Sequence, residues 1–288
     1  MSEQTLPLPT TPLAGARQTA VSLEPVQRSK VTEILVDSVV LAHRSLLRVP
    51  RQLDWLIGVT VMPVMFLLMF RYIFGGTLQA AMPAGISAVN YLVVGIIVQG
   101  IVFGGMNTAL GLATDAKEGL MDRFMSLPMS RMSVVLGRIL ADLSITVFTT
   151  TTTIVVGLAV GFRPTGNVGD WALAIVLMLL TAFTFSWIGA AVGLWLKTIE
   201  AVNSIGFSLI MPLTFVSTAF TQTEFLPGWL QGFARHQPFS VITDTMRGLL
   251  TGYPEVGNNG WISLAWLVGI LIVVMPVTVM LFERRAKS

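Results

Sequence analysis

The stretch from Trp171 to Leu196, WALAIVLMLLTAFTFSWIGAAVGLWL, contains no charged residue. A bilayer core is about 30 Å thick, and about 20 apolar residues in a helix are enough to cross it. Backbone amides cannot stay unpaired in hydrocarbon, so a stretch of this kind crosses as a helix. We therefore predict a membrane span over 171–196.

Other parts of the chain share this character. The chain is 53% hydrophobic and only 11% charged, whereas a soluble domain carries about 25% charged residues. This composition predicts an all-α polytopic membrane protein with six transmembrane helices. The other five apolar stretches cover 55–74, 90–113, 133–160, 203–221 and 261–282.

The net charge of +3 is better explained by membrane topology than by nucleic-acid binding. Most lysines and arginines fall before the first span, in the second-to-third loop and its flank, in the fourth-to-fifth loop and in the C-terminal tail. The positive-inside rule then predicts that both termini are cytoplasmic. The loop 75–89 on the opposite side contains no lysine or arginine, which agrees with this orientation.

The region before the first span divides in two. Residues 1–27 contain several prolines and no sustained apolar period, which predicts a disordered cytoplasmic leader. Residues 28–50 show apolar side chains at helical spacing with charged residues between them. This pattern favours an amphipathic helix at the inner-leaflet interface; the alternative is a solvated helix packed on the protein itself.

The segment 222–252, between the fifth and sixth stretches, is too long for a tight turn and too apolar for a solvated loop. Two short helical patterns, near 225–233 and 241–250, predict an outer re-entrant or interfacial hairpin. Asp244 and Arg247 are three residues apart and are predicted to pair on its polar face. The residues assigned to this hairpin are Trp229, Phe233, Pro238, Asp244 and Arg247.

Polar residues within the predicted spans are few. Arg138 and Asp142 lie four apart in the third stretch and are predicted to form an ion pair. Charges at membrane depth are costly and often functional. A structural pair near the cytoplasmic end is favoured here, and a proton relay is the alternative.

The predicted cytoplasmic loop between the second and third spans reads DAKEGLMDRFMSLPMSR from Asp115 to Arg131. Leu120, Phe124 and Leu127 are apolar at helical spacing, with charged residues on the other face. A short amphipathic helix here would protrude from the membrane and offer a docking surface.

These loop residues carry a resemblance to a known family. Asp115…Gly119, Asp122-Arg-Phe124, Leu127-Pro128, Arg131 and Leu136-Gly-Arg138…Asp142 resemble the cytoplasmic loop of type-2 ATP-binding-cassette (ABC) permeases, closest to the daunorubicin-resistance group of drug and lipid exporters. Later motifs, including Leu226-Pro-Gly-Trp229 and Gln237-Pro-Phe-Ser, continue the likeness. The resemblance covers about 45–285 and assigns 51–288 to a type-2 transmembrane domain.

The resemblance implies a non-enzymatic transport subunit in a bacterial cell membrane. It implies a dimer with a second permease copy that binds two cytoplasmic ABC ATPase subunits, which carry ATP and Mg. The loop would then be the ATPase-coupling helix, although relatives often have Asp-Arg-Glu before the glycine, so individual ion-pair roles do not transfer. The implied coupling residues are Asp115, Lys117, Glu118, Gly119, Asp122, Arg123, Phe124, Leu127, Pro128 and Arg131.

Two motif absences agree with this assignment. The sequence contains no G-x-x-x-x-G-K-[ST], so the chain cannot hold ATP phosphates in that way, and it contains no H-E-x-x-H. We expect no catalytic residue, no bound metal or cofactor and no nucleic-acid partner, but contact with membrane lipids. An ion-coupled secondary transporter and a polysaccharide- or glycolipid-exporting ABC permease remain alternatives. The substrate, and homodimer against heterodimer, stay open.

Overall fold

A computed structural model describes residues 53–82, 85–118, 131–196 and 198–285. The leader 1–27 and the amphipathic helix 28–50 predicted above lie outside these ranges. The described residues form helices and no strand. In chain order the helices are α1 (Leu53–Tyr72), α2 (Gly75–Ala81), α3 (Ala88–Lys117), α4 (Arg131–Ala159), α5 (Val168–Trp195), α6 (Ile199–Phe215), α7 (Gly228–His236), α8 (Pro238–Thr251) and α9 (Asn259–Arg285), with a 3-10 turn at Thr223–Phe225.

Long apolar helices dominate this set. Four of them, α3, α4, α5 and α9, are long and apolar enough to cross a membrane. The chain bends by 66° between α1 and α2, and this bent pair makes a fifth candidate if it counts as one span. The linker 75–89 was expected to be a plain loop, but α2 occupies its first half. The all-helical membrane class is confirmed, while the count of six spans stays a prediction.

Helix α3 lies at the centre of the bundle and is buried over most of its length. Helix α5 packs closely against it, because α5 carries glycine where the two backbones meet. A Cβ at Gly189 would collide with the carbonyl of Gly105, and one at Gly193 would collide with the carbonyl of Ala109. The Gly189…Gly193 spacing is thus a packing device, as small residues at this spacing usually are in membrane helices.

The fifth apolar stretch is helical over a different range from the one predicted. Helix α6 begins after Thr198, whose hydroxyl accepts a hydrogen bond from the Ala201 amide at 3.1 Å. It ends at Phe215, three residues after Pro212, and the Val216 amide donates to the Pro212 carbonyl at 2.9 Å. Residues 216–222 are irregular although several are fully buried. The expectation of one helix over 203–221 was wrong because apolar composition reports burial and not backbone conformation.

Candidate functional site

The loop between α3 and α4 is only partly described. Asp115 and Lys117 lie in the last turn of α3, Glu118 follows at its end, and Arg131 begins α4. The remaining predicted coupling residues lie outside the described residues. They are Gly119, Asp122, Arg123, Phe124, Leu127 and Pro128.

Arg138 connects the two helices that enter and leave this loop. Its Nε donates to Oδ2 of Asp142 at 3.1 Å, and its Nη1 donates to Oδ2 of Asp115 at 3.1 Å. The predicted Arg138–Asp142 pair is therefore present within α4. Asp115 of α3 is the third member, and helical spacing could not reveal it because the two aspartates are on different helices. One guanidinium thus bridges the carboxyl groups of two helices.

A glycine makes room for this bridge. A Cβ at Gly111 of α3 would collide with the guanidinium of Arg138. Asp142 is 5% exposed, while Arg138 and Asp115 are 30% and 25% exposed. A displacement of α3 relative to α4 at the loop end would change the geometry of this ion bridge.

The segment 223–251 forms two short helices in tandem, α7 and α8, close to the predicted ranges. We call it the paired-helix segment. Helix α8 is mostly buried in the bundle, with Phe239, Ile242 and Met246 in the core. Helix α7 instead exposes its apolar side chains, and Trp229 is 82% exposed. Pro238 begins α8 at the first-turn position that tolerates a missing N–H.

Arg247 is the most buried charge in the paired-helix segment. It pairs with Asp244, as predicted, through an Nη1 to Oδ1 hydrogen bond of 2.8 Å. The prediction that it lies on a polar face is wrong, since its side chain is 1% exposed. Its guanidinium stacks on the ring of Tyr91, with the central carbon 3.6 Å from the ring centroid.

The other donors of Arg247 reach backbone carbonyls. Nε and Nη2 both donate to the carbonyl of Tyr91 at 3.3 Å, and Nη2 donates to that of Thr218 at 3.0 Å. The Tyr91 hydroxyl also donates to the Thr218 carbonyl at 2.7 Å. Unwound backbone at membrane depth is tolerated where protein groups satisfy it. Arg247 and Tyr91 therefore hold the irregular segment 216–222 against α3.

A cavity of about 450 Å³ lies between α1, α3, α4 and α6, along the middle of α3. Aromatic and sulfur-containing side chains form much of its wall, and none of the described residues that line it is charged. Its polar groups are the amides of Gln99, Asn107 and Asn203 and the hydroxyls of Thr146 and Thr149. Both hydroxyls donate to carbonyls of their own helix, at 3.0 Å each. Sequence reasoning did not single out these amides.

Gln99 has an unusual environment. It is 6% exposed and lines the cavity, yet no residue in the described ranges hydrogen-bonds to its side chain amide. Asn107 and Asn203, which are half-buried, likewise have no partner among the described residues. Buried polar groups are usually hydrogen-bonded. The described wall of the cavity therefore offers unused hydrogen-bond donors and acceptors.

The described residues contain no cluster of side chains that could bind a metal ion. No group of three or more histidine, aspartate or glutamate side chains within those ranges is placed to hold a metal ion. The sequence contains no cysteine.

Comparison with known proteins places these features in a family. The profile of the ABC-2 type transporter family matches residues 38–251. The chain is 30% identical over 278 residues to the daunorubicin resistance ABC transporter permease protein DrrB1 of Streptomyces coeruleorubidus, which covers 96% of this chain and 95% of that protein.

Two further relatives extend the comparison. The probable doxorubicin resistance ABC transporter permease protein DrrC of Mycobacterium tuberculosis is 28% identical over 249 residues, covering 85% of this chain and 87% of that protein. The putative transport permease ycf38 of Pyropia yezoensis is 24% identical over 259 residues, covering 85% and 86%.

Proposed function

This chain belongs to the ABC-2 type transporter family, and from that premise we propose that it is the membrane-spanning permease of an ATP-driven exporter. Its cargo would be amphipathic drugs or lipids, moved out of the cytoplasm or inner leaflet by alternating access. The family match over 38–251, together with the long apolar helices, is the observation that carries this proposal. The names of the relatives DrrB1 and DrrC favour a drug over a polysaccharide as cargo.

The energy would come from a separate chain. We expect two cytoplasmic ABC ATPase subunits to bind ATP and Mg and to dock on the loop between α3 and α4. The loop ends are joined by the Arg138 bridge to Asp115 and Asp142. Because that bridge spans both helices, displacement of the loop by the ATPase would reach α3, which also lines the cavity. The permease itself would work with a second permease copy in a bacterial cell membrane, with both termini cytoplasmic.

An ion-coupled mechanism has less support. Ion-coupled transporters place their coupling site near the middle of the bilayer. The described part of α3 and α4 contains five charged residues. Lys117 and Arg131 lie at the loop, and Arg138 binds both Asp115 and Asp142 near it. Among the described residues, none that lines the cavity in the middle of the bundle is charged. This arrangement favours an external ATPase as the source of energy.

Transport in proteoliposomes tests the proposal. The chain would be reconstituted with an ABC ATPase that co-purifies with it, and uptake of a fluorescent amphipathic drug would be followed. We expect transport with ATP and none with an ATPase variant that lacks its Walker-A lysine. Transport that ignores ATP and stops when the proton gradient is collapsed would instead identify an ion-coupled transporter.

A further inference from the structure

We propose that the cavity between α1, α3, α4 and α6 binds uncharged aromatic molecules that carry a carbonyl or hydroxyl group, with the side chain amide of Gln99 as their hydrogen-bonding partner. The inference rests on the proposed export function in one respect only, because it names the chemistry of the cargo. Its tests require neither ATP nor an ATPase.

The size and wall of the cavity set the class of ligand. A volume of about 450 Å³ lies within the range of pockets that hold drug-sized molecules, about 300–1,000 Å³. Phe66, Phe103 and Phe207 contribute aromatic rings to the wall, and Met62 and Met106 contribute thioether side chains. Aromatic and sulfur groups pack well against flat ring systems. The cavity therefore favours an aromatic body.

The lack of charged side chains on the described wall further restricts the class of ligand that the cavity can bind. A buried ion needs an opposite charge or several hydrogen bonds to offset the loss of water. No charged side chain occurs among the described residues of the wall. A phosphate headgroup or a free carboxylate buried there would have no ionic partner. The buried part of the ligand is therefore neutral.

The amides supply the specificity. Gln99 presents two donors and one acceptor oxygen to the cavity, and none of the described residues uses them. The amide atoms of Gln99 are accessible from the cavity. A ligand that fills the cavity removes this amide from water, so a ligand group that completes its hydrogen bonds binds better than an apolar group of the same shape. A carbonyl accepts from the amide nitrogen, and a hydroxyl both donates and accepts. Asn107 and Asn203 offer the same chemistry elsewhere on the wall.

Photolabelling tests this inference on the purified full chain in detergent. Benzophenone is the probe, since it is a neutral aromatic ketone whose excited carbonyl inserts into nearby C–H bonds. Peptide mapping by mass spectrometry should find the label at Met62 or Met106. Protection is then compared for fluorenone and fluorene, which share one ring system and differ by a carbonyl. In the wild-type chain we expect fluorenone to protect at about fivefold lower concentration, the size that one net hydrogen bond gives.

Three variants, two of them a matched glycine pair, separate binding in the cavity from indirect effects. Gln99→Leu should abolish the preference for fluorenone and leave protection by fluorene unchanged. Gly58→Leu should reduce labelling by benzophenone, because Gly58 lines the cavity and a leucine there would occupy part of it. Nothing lies within 4 Å of a Cβ built at this position, so the substitution meets no clash. Gly269→Leu is the matched control, since its Cβ also meets nothing within 4 Å and it lies on α9 away from the cavity. If Gln99→Leu does not fold, the two glycine variants still decide whether the cavity is the binding site, and the comparison of fluorenone with fluorene on the wild-type chain still tests for a hydrogen bond to the carbonyl.

The inference is overturned if fluorenone and fluorene protect the wild-type chain equally. It is also overturned if the label maps outside the cavity, or if Gly58→Leu and Gly269→Leu are labelled alike. These results would leave the proposed function standing, because ATP-dependent transport is measured separately. Conversely, selective binding of fluorenone without ATP-dependent transport would contradict the proposed export function and support the binding site.

Discussion

Two arginines, Arg138 of α4 and Arg247 of α8, contact the central helix α3 near its opposite ends, and their contacts differ. Arg138 engages α3 at Asp115 near the loop, whereas Arg247 engages it at Tyr91. These α3 positions are about 36 Å apart at 1.5 Å per helical residue. Each arginine also pairs with an aspartate three or four residues away on its own helix. Beyond that pair, Arg138 binds another carboxylate and Arg247 binds a ring and backbone carbonyls.

The difference indicates different tasks. Backbone carbonyls cannot be protonated or swapped, and Arg247 is 1% exposed, so its contacts hold one arrangement of α3, α8 and the irregular segment 216–222. Arg138 is 30% exposed and shares its charge between two carboxylates, so it can change partners at lower cost. The loop end is thus suited to movement and the paired-helix end to anchoring. Each prediction below tests one side of this contrast.

The largest effect is expected at Arg247. Arg247→Ala would leave Asp244 and the carbonyls of Tyr91 and Thr218 without their partner. Removing one member of a buried ion pair costs about 3–5 kcal/mol, so we expect a marked loss of thermal stability in detergent. Arg247→Lys should recover only part of it, because an ammonium cannot reproduce the planar fork of hydrogen bonds.

Arg163→Ala is the matched control. Arg163 also donates to two carbonyls, those of Leu158 and Phe162, but at an exposed site. Its loss should change the free energy of unfolding by about 0.5 kcal/mol or less. Similar melting temperatures for the two alanine variants would contradict the anchoring role of Arg247.

The sequence predicts the helices of this fold but not the buried contacts of Arg247. The apolar stretches identify spans because hydrocarbon forces helical pairing, and the Asp244–Arg247 pair follows from helical spacing. The burial of Arg247 does not, because its partners lie 156 residues away at Tyr91 and 29 residues away at Thr218. Gln99 was missed for a similar reason, since a single amide in an apolar stretch gives no periodic signal.

At the loop end, the next largest effect is expected at Phe124. Buried apolar anchors dominate protein interfaces, while charges at the rim contribute little. Phe124→Ala should therefore weaken ATPase binding by about 2 kcal/mol or more, and Asp122→Asn by less than about 1 kcal/mol. Co-purification of the ATPase and drug-stimulated ATP hydrolysis measure both. If neither variant has an effect, the loop is not the docking surface.

A smaller effect should distinguish the two carboxylates that share Arg138. Asp142 is 5% exposed and Asp115 is 25% exposed. Hydrogen bonds between charged groups are worth about 1.5–3 kcal/mol when buried and less when solvent screens them. Asp142→Asn should thus lower the thermal stability more than Asp115→Asn, which leaves the more buried pair intact. The reverse order would mean that the link between helices, rather than the pair within α4, stabilises this end.

The smallest effect on stability is expected at Trp229. This residue instead reports whether the paired-helix segment lies in lipid or in water. Trp229 is 82% exposed on α7, so Trp229→Leu should change the free energy of unfolding by about 0.5 kcal/mol or less. Tryptophan rings nevertheless prefer the membrane interface, and a large exposed ring beside an apolar bundle is expected to meet lipid. In a chain whose other six tryptophans are replaced, Trp229 fluorescence in proteoliposomes should resist quenching by aqueous iodide. The same chain unfolded in guanidinium should be quenched fully. Quenching in proteoliposomes as strong as in the unfolded chain would show that α7 is solvated, and that only α8 holds the segment to the bundle.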